Sequence, residues 1–348
     1  MNILFTGCTS KQTKDDARGK LDRIDDSTII VNSLRKQGHN VDRRVVTFGE
    51  DLSKYDLAIV GLGALGSLNY AGTQFGSIWA VHASERVLCF HEDWKIHSTI
   101  DSYKSIESAL DVIKLKDRQF SDNTPVYKEL SHSSFTNDLD ANLEVVVNTY
   151  KKIVNGDYAC LVPNFDWGNK TLIHDILNTT DVYHVDLTPY VIEHYRIGQS
   201  NSLFDLPTEK KDAYMLASLG DHRPWVRKQK LNWDVSYYGS NKAFKTLATE
   251  TDVFEMCKEY KGILCPKYVH AGSGWFRMRW VYAALADSVV LADDADHEAL
   301  GVPKRSIEAM SDKEYKAYQK EQSDAIKSFM WTKDDFDKKI NDIVETIR

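Results

Sequence analysis

The sequence predicts an α/β fold with parallel sheets flanked by helices, and three observations carry that expectation. Apolar runs of strand length alternate with helix-period stretches along most of the chain. Two of these alternations place arginine just past a strand, the edge at which open α/β sheets bind ligands. The total of 348 residues also suits two domains, each with its own core.

Taken in order, the expected strands are Asn2–Thr6, Val41–Thr47, Leu57–Val60, Val87–Phe90, Ala159–Val162 and Val182–Leu187 in the first half. Ala213–Leu219, Val235–Tyr238, Ile263–Cys265 and Val289–Ala292 follow in the second. Helices are expected over Ser27–Lys36, Ala71–Ala83, Tyr103–Lys114, Ala141–Asn155 and Val253–Lys261. The polar stretch Ile197–Asp212, with Pro207 and Lys210-Lys211, reads as an interdomain linker. From Ser311 onward the chain is charged with helical spacing and carries no strand signal.

Composition removes several function classes. A hydrophobic share of 42% and a charged share of 27% are those of a soluble globular protein. The net charge of −7 opposes a strongly basic nucleic-acid binder, while leaving room for a local positive groove. The opening Met1-Asn-Ile-Leu-Phe-Thr-Gly7 lacks a basic n-region and a long apolar core, so no signal peptide is expected. No run approaches the ~18 apolar residues of a membrane span. Cys8, Cys89, Cys160, Cys257 and Cys265 are scattered, without a CxxC pair, and are expected to be buried reduced thiols of a cytoplasmic protein.

One motif tempts and is set aside. Gly61-Leu-Gly63-Ala-Leu-Gly66 matches GxGxxG after a strand, but that strand is about the third, whereas a dinucleotide fingerprint occupies the first βα turn. The acidic residue that should follow comes late, at Glu92 or Asp93. A glycine-rich loop that lets a ligand approach the backbone closely is the plainer reading. No GxSxG elbow or Walker A loop is present.

Two groups of side chains carry chemistry. The strand ending at Phe90 runs directly into His91-Glu92-Asp93-Trp94, where a carboxylate can take a proton from an attacking hydroxyl; capping of the next segment is the structural alternative. His91, Asp93 and His97 match no closed metal site, and none is expected. In the second half, Gly220, Asp221 as N-cap and Pro224 in the first turn announce a helix carrying Arg223 and Arg227 one turn apart, beside the free N–H groups of its start. Planar guanidiniums and a helix N-terminus suit a diphosphate; a solvated face is the alternative. Arg279 heads the second such helix.

These second-half segments resemble the phage DNA β-glucosyltransferase family. Gly220-Asp-His-Arg223-Pro-Trp-Val-Arg227 is similar to that family's Gly-Ser-x-Arg-x-x-x-Arg segment, and Tyr237-Tyr-Gly239 to its aromatic-aromatic-Gly strand end. Arg279-Trp-Val-Tyr282, followed by Ala-Ala-Leu-Ala-Asp287-Ser-Val-Val-Leu-Ala-Asp293, is similar to its arginine helix and next strand. The segment Asp186–Arg196 looks like the one leading into the family's linker. The resemblance runs from roughly 182 to 296 and is weak in the first 150 residues.

What the resemblance implies is a GT-B fold, two Rossmann-like domains facing a central cleft. Residues 1–196 would form the acceptor domain, 197–212 the linker, 213–330 the nucleotide-sugar domain, and 331–348 a C-terminal helix crossing back. Arg223, Arg227 and Arg279 would bind the diphosphate, with Gly220, Asp221 and Gly239 approaching it. The catalytic carboxylate would be Asp93 with one inserted residue, or Glu92 without a gap. The family's ribose-binding Glu is Tyr282 here, whose phenol can still hydrogen-bond a ribose but cannot accept two hydroxyl protons as a carboxylate does, which leaves the nucleoside and the sugar open. The implied activity is transfer of a sugar from a nucleotide diphosphate donor, UDP-sugar first, to the hydroxyl of a hydroxymethylated pyrimidine in phage DNA, a modification that evades host restriction. Lys11, Lys14, Arg18, Lys20 and Arg23 would track the phosphates of duplex DNA, a solvated loop being the alternative since Asp15, Asp16 and Asp22 interleave them, and His91 and Trp94 would meet the acceptor. No cofactor is required, with Mg or Mn at most a stimulant. The protein is expected to be a monomer in the host cytoplasm with no membrane partner. The rivals are a carbohydrate or small-molecule acceptor, and a non-catalytic nucleotide- or DNA-binding protein.

Overall fold

The computed structural model describes residues 1–7, 26–61, 71–90, 134–162, 181–194, 209–218, 222–239, 250–266 and 278–347. The chain divides into two compact units. The first takes the described residues before Asp186 and those from Asp334 onward, and the second takes Asp186–Lys333. Both are α/β with a wholly parallel sheet among the described strands.

In chain order the elements of the first half are β1 (Asn2–Thr6), α1 (Asp26–Lys36), β2 (Asn40–Arg43), β3 (Leu57–Gly61), α2 (Ala71–Ala83), β4 (Val87–Phe90), α3 (Leu139–Asn155), β5 (Ala159–Val162) and β6 (Val182–His184). They continue with α4 (Thr188–His194), β7 (Lys211–Ser218), α5 (Arg223–Lys228), β8 (Val235–Gly239), α6 (Glu250–Lys258), β9 (Tyr260–Leu264), α7 (Met278–Leu285), β10 (Val289–Leu291) and α8 (Asp294–Leu300). Two long helices close the chain, α9 (Asp312–Phe329) and α10 (Lys333–Thr346).

The first sheet runs β2-β1-β3-β4-β5-β6. Its central strands, Leu57–Gly61 and Val87–Phe90, are buried at every position, as strands covered on both faces must be. Cys89 and Cys160 stand opposite each other on β4 and β5 as free buried thiols, and burial pushes both above the ordinary cysteine range. Cys257 and Cys265 are also free and buried, while Cys8 lies outside the described residues. Helix α3 starts at Leu139 rather than at the expected Ala141, because Asp138 caps it by accepting from the backbone of Asp140 and Ala141. The expected helix Tyr103–Lys114 lies outside the described residues.

The last helix belongs to the first unit and is tied there by polar side chains. Asp337 accepts from Ser33 Oγ and Lys36 Nζ, each at 2.6 Å, and Asn341 meets His39 at 2.9 Å. Arg86 donates to the carbonyls of Val344 and Ile347 at 2.8 and 2.6 Å, satisfying acceptors that a helix end leaves open.

The second sheet runs β10-β9-β7-β8. Its core gathers Tyr214, Phe254, Trp280, Tyr282 and Tyr318, all almost fully buried. The edge strand β10 is closed by a side chain: Gln322 of α9 accepts from Val290 N at 2.6 Å and donates to Val290 O at 3.1 Å. One glutamine thereby replaces the partner an edge strand lacks. Ser311 and Glu314 form a capping box at the start of α9. Lys210 is another internal fastening, donating to Lys258 O, Ala286 O and Ser288 Oγ, with burial pushing its ammonium down to about 8.

Several boundaries differ from expectation for local reasons. Strand β7 begins at Lys211, inside the stretch read as linker, because Lys211 N bonds Glu259 O at 2.8 Å and its register partner is Tyr260. Strand β9 spans Tyr260–Leu264, not Ile263–Cys265, and takes in residues assigned to the preceding helix. Strand β2 stops at Arg43, since Arg44 turns its guanidinium to Asp42 and Glu50. Strand β6 stops at His184, before Asp186 accepts from the backbone of Thr188.

Candidate functional site

Among the described strands, each sheet reverses direction once. In the second, β7 is laid first, β8 joins one side and β9 the other, so the switch point lies between β7 and β9. Connections leave such a pair in opposite directions, opening a crevice at the carboxyl ends. The next described helix after β7 opens with Arg223, and the next described helix after β9 carries Arg279 as its second residue. The topology therefore brings both arginines to the two strands that flank the switch point.

Helix α5 differs in detail from expectation. Its N-cap is His222, with φ −100° and ψ 11° and no side-chain cap bond, rather than Asp221, which lies outside the described residues. Pro224 stands in the first turn as expected, where its missing N–H costs nothing. The helix has only 6 residues, so its macrodipole is small and adds little attraction for an anion. Arg223 is half-buried, its guanidinium 5.8 Å from the Tyr237 ring centroid, a cation–π contact that restricts the fork before any ligand arrives. Arg227 follows one turn later and is exposed, while Arg279 is half-buried. Among the described residues neither Arg227 nor Arg279 is engaged by a carboxylate.

Other expected site residues fall elsewhere. Gly239 ends β8 at the same carboxyl edge. Tyr282 is core: it is 1% exposed and packs edge-on to Phe254 at 6.3 Å, although a ribose contact was expected of it. Gly220, Asp221, His91, Glu92, Asp93, Trp94, Lys11, Lys14 and Arg18 lie outside the described residues. The segment holding Asp93 leaves the carboxyl end of β4, and the one holding Lys11 leaves that of β1. Of the glycine-rich motif, Gly61 is described, and its neighbour is protein: Gly7, at φ +82°, lies so near that a Cβ added to it would come within 2.2 Å of Gly61 O. Close backbone packing explains this pair without a ligand.

Two residues were not singled out for chemistry by the sequence. The indole Nε1–H of Trp225 donates to Asp293 Oδ1 at 2.9 Å, joining α5 to the residue that follows β10 across 68 positions of chain. Asp293 before a helix reads simply as an N-cap, and nothing local announces Trp225 as its partner. Among the described residues no group of three His, Cys, Asp or Glu is placed to hold a metal ion, and no helix is long and apolar enough to cross a membrane.

No protein-family model matches the chain, and no curated protein matches it by sequence. Solved structures resemble it in fold at low identity. A DNA-modifying β-glucosyltransferase solved with and without uridine diphosphoglucose has a TM-score of 0.48 and 13% identity, covering 98% of this chain and 100% of its own. T4 phage β-glucosyltransferase gives 0.47 and 13%, covering 100% and 99%. A glycosyltransferase from Streptomyces nogalater gives 0.38 and 10%, covering 99% of each chain.

Proposed function

We propose that the chain is a GT-B glycosyltransferase whose second unit holds a nucleotide diphosphate-sugar. The observation that carries this reading is the pair of arginine-bearing helices leaving the strands on either side of the β7/β9 switch point. Guanidiniums are permanently charged and form planar paired hydrogen bonds, so Arg223, Arg227 and Arg279 suit the two charges of a diphosphate. In transfer they would also balance the negative charge that builds on the departing phosphate oxygen.

The acceptor in this reading is a hydroxymethylated pyrimidine in duplex DNA, extruded from the stack to be reached. Asp93, past the end of β4, takes the hydroxyl proton as the acceptor oxygen bonds to the anomeric carbon. The bond from that carbon to the β-phosphate oxygen breaks, and the diphosphate leaves with the electron pair. Glu92 is the neighbouring alternative for the base, and Lys11, Lys14 and Arg18 are assigned to DNA phosphates. One observation favours a second reading: a net charge of −7 suits a carbohydrate or small-molecule acceptor better than a polyanion. Only the DNA enzyme loses affinity for duplex steeply as salt rises.

The test is diphosphate release from UDP-glucose in the presence of hydroxymethylated duplex DNA. Asp93→Asn should lower turnover by a factor on the order of 100 to 10,000, with donor affinity nearly unchanged, and Glu92→Gln should not. The reverse pattern moves the base to Glu92, and normal turnover by both variants removes the first-unit assignment.

A further inference from the structure

The arginines account for the charged part of a donor, and nothing assigned so far meets its neutral hydroxyls, because Tyr282 lies in the core. Asp293 stands two residues beyond the end of β10, at the same carboxyl edge as the arginines. Strand β10 pairs with β9, whose following helix carries Arg279, and neighbouring strands lie ~4.8 Å apart.

The conformation of Asp293 breaks a local rule. It is the N-cap of α8, in extended conformation with φ −71° and ψ 155°, and its carbonyl accepts from Asp296 N and His297 N as a cap residue's should. An aspartate there ordinarily turns its side chain back onto the first free N–H groups of the helix. This one makes no such bond, and Oδ1 accepts instead from Trp225 Nε1 at 2.9 Å. Trp225 lies on α5 between Arg223 and Arg227, half-buried against the core, and is a rigid arm. Oδ2 has no hydrogen-bond partner among the described residues. The ammonium of Lys304 pairs with the next residue, Asp294, at 3.3 Å. Departures of this kind from local consistency are expected at functional sites.

We propose that Asp293 is a specificity residue that accepts neutral hydroxyls of the bound nucleotide-sugar, and that Trp225 is the positioning residue that aims it. The inference rests on the donor reading above. A carboxylate repels phosphate, so at the carboxyl edge that also carries the arginines it suits the uncharged part of the same ligand. An acceptor-only group with one oxygen held and one free selects hydroxyl donors, as in a vicinal diol. Both the pentose and the transferred sugar offer that chemistry.

The experiment is titration calorimetry of the wild type, Asp293→Asn, Asp293→Ser and Trp225→Phe with UDP, 2′,3′-dideoxy-UDP and UDP-glucose. Serine retains N-cap ability and guards against a variant that fails to fold. In the wild type, either loss of the pentose hydroxyls or loss of the glucose should weaken binding roughly 10- to 100-fold, the scale of hydrogen bonds to a charged group. In the Asp293 variants that ratio should shrink to about threefold or less, with the affinity for 2′,3′-dideoxy-UDP retained, and Trp225→Phe should shrink the same ratio in part. Collapse of the dideoxy ratio assigns the pentose, and collapse of the glucose ratio assigns the transferred sugar. Wild-type ratios in both Asp293 variants would overturn the proposal while leaving the donor site standing. Failure of the wild type to bind any of the three removes the donor reading and this inference with it.

Discussion

The two units place different chemistry at the same topological feature. In the first, the switch point between β1 and β3 is bordered by Gly7 and Gly61, whose backbones press together with no room for a side chain. In the second, the switch point between β7 and β9 is bordered by helices bearing Arg223 and Arg279. A parallel sheet presents its carboxyl edge regardless of sequence, so what that edge does depends on the residues that leave it. The glycine pair serves packing, whereas the helices at the second switch point carry permanent positive charge.

The largest expected effect breaks the first half of that contrast. Gly7→Ala combines a left-handed backbone with a contact that cannot relax, and should destabilise the first unit by about 4 kcal/mol in urea unfolding. Gly301→Ala in the second unit is the matched control: it shares the left-handed region, at φ +75°, but has nothing within 4 Å of an added Cβ. It should cost about 1 kcal/mol. Equal losses would mean that backbone conformation, not the approach of Gly61, holds Gly7.

Next in size is the edge of the second sheet. Gln322→Leu removes both partners of Val290 and should cost about 3 kcal/mol, since the strand's N–H and C=O are left buried and unpaired. A loss below about 1 kcal/mol would show that the edge closes without it.

Legibility in the sequence follows the same division between backbone pattern and long-range contact. Strands β1, β4 and β5 and helix α2 fall where their apolar runs place them, because burial on both faces leaves an uninterrupted signal. Strand β9 departs from expectation because Gly262 reads locally as a helix end, whereas it stands in a strand, where the Tyr214 ring lies 2.2 Å from the site of a Cβ. Strand β7 is longer than expected because Lys211 and Asp212 look like linker in sequence, yet Lys211 pairs with Glu259 and Lys261 with Asp212 across the β7–β9 edge. At the site, the arginines were visible as residues following strands. The Trp225–Asp293 bond was not, since it joins segments far apart in sequence and neither residue is unusual in its own neighbourhood.

A smaller effect concerns pH and is confined to the second unit. Burial raises Asp186, which accepts from Thr188 N and Trp331 N, from 3.8 to about 6. Burial lowers His297 from 6.5 to about 4. For Asp186 the native state binds the proton more tightly, so its contribution is present below pH 3.8 and is lost as pH rises through about 6. For His297 the contribution is present above pH 6.5 and is lost as pH falls through about 4. The two slopes oppose. Asp186→Asn should therefore lose stability on acidification below pH 6.5, by about 1 to 2 kcal/mol relative to the wild type. Thermal melts across that range check it, and parallel profiles would show that Asp186 does not titrate there.

The central claim is that the β7/β9 switch point is the diphosphate site, and calorimetry with UDP tests it most directly. Arg223→Ala and Arg279→Ala should each weaken binding roughly 10- to 100-fold while the melting temperature stays near wild type, because each removes a charge-assisted contact at a half-exposed position. Wild-type affinity in both variants would contradict the account, since the two arginines carried by the helices at the switch point would then play no part in holding the nucleotide.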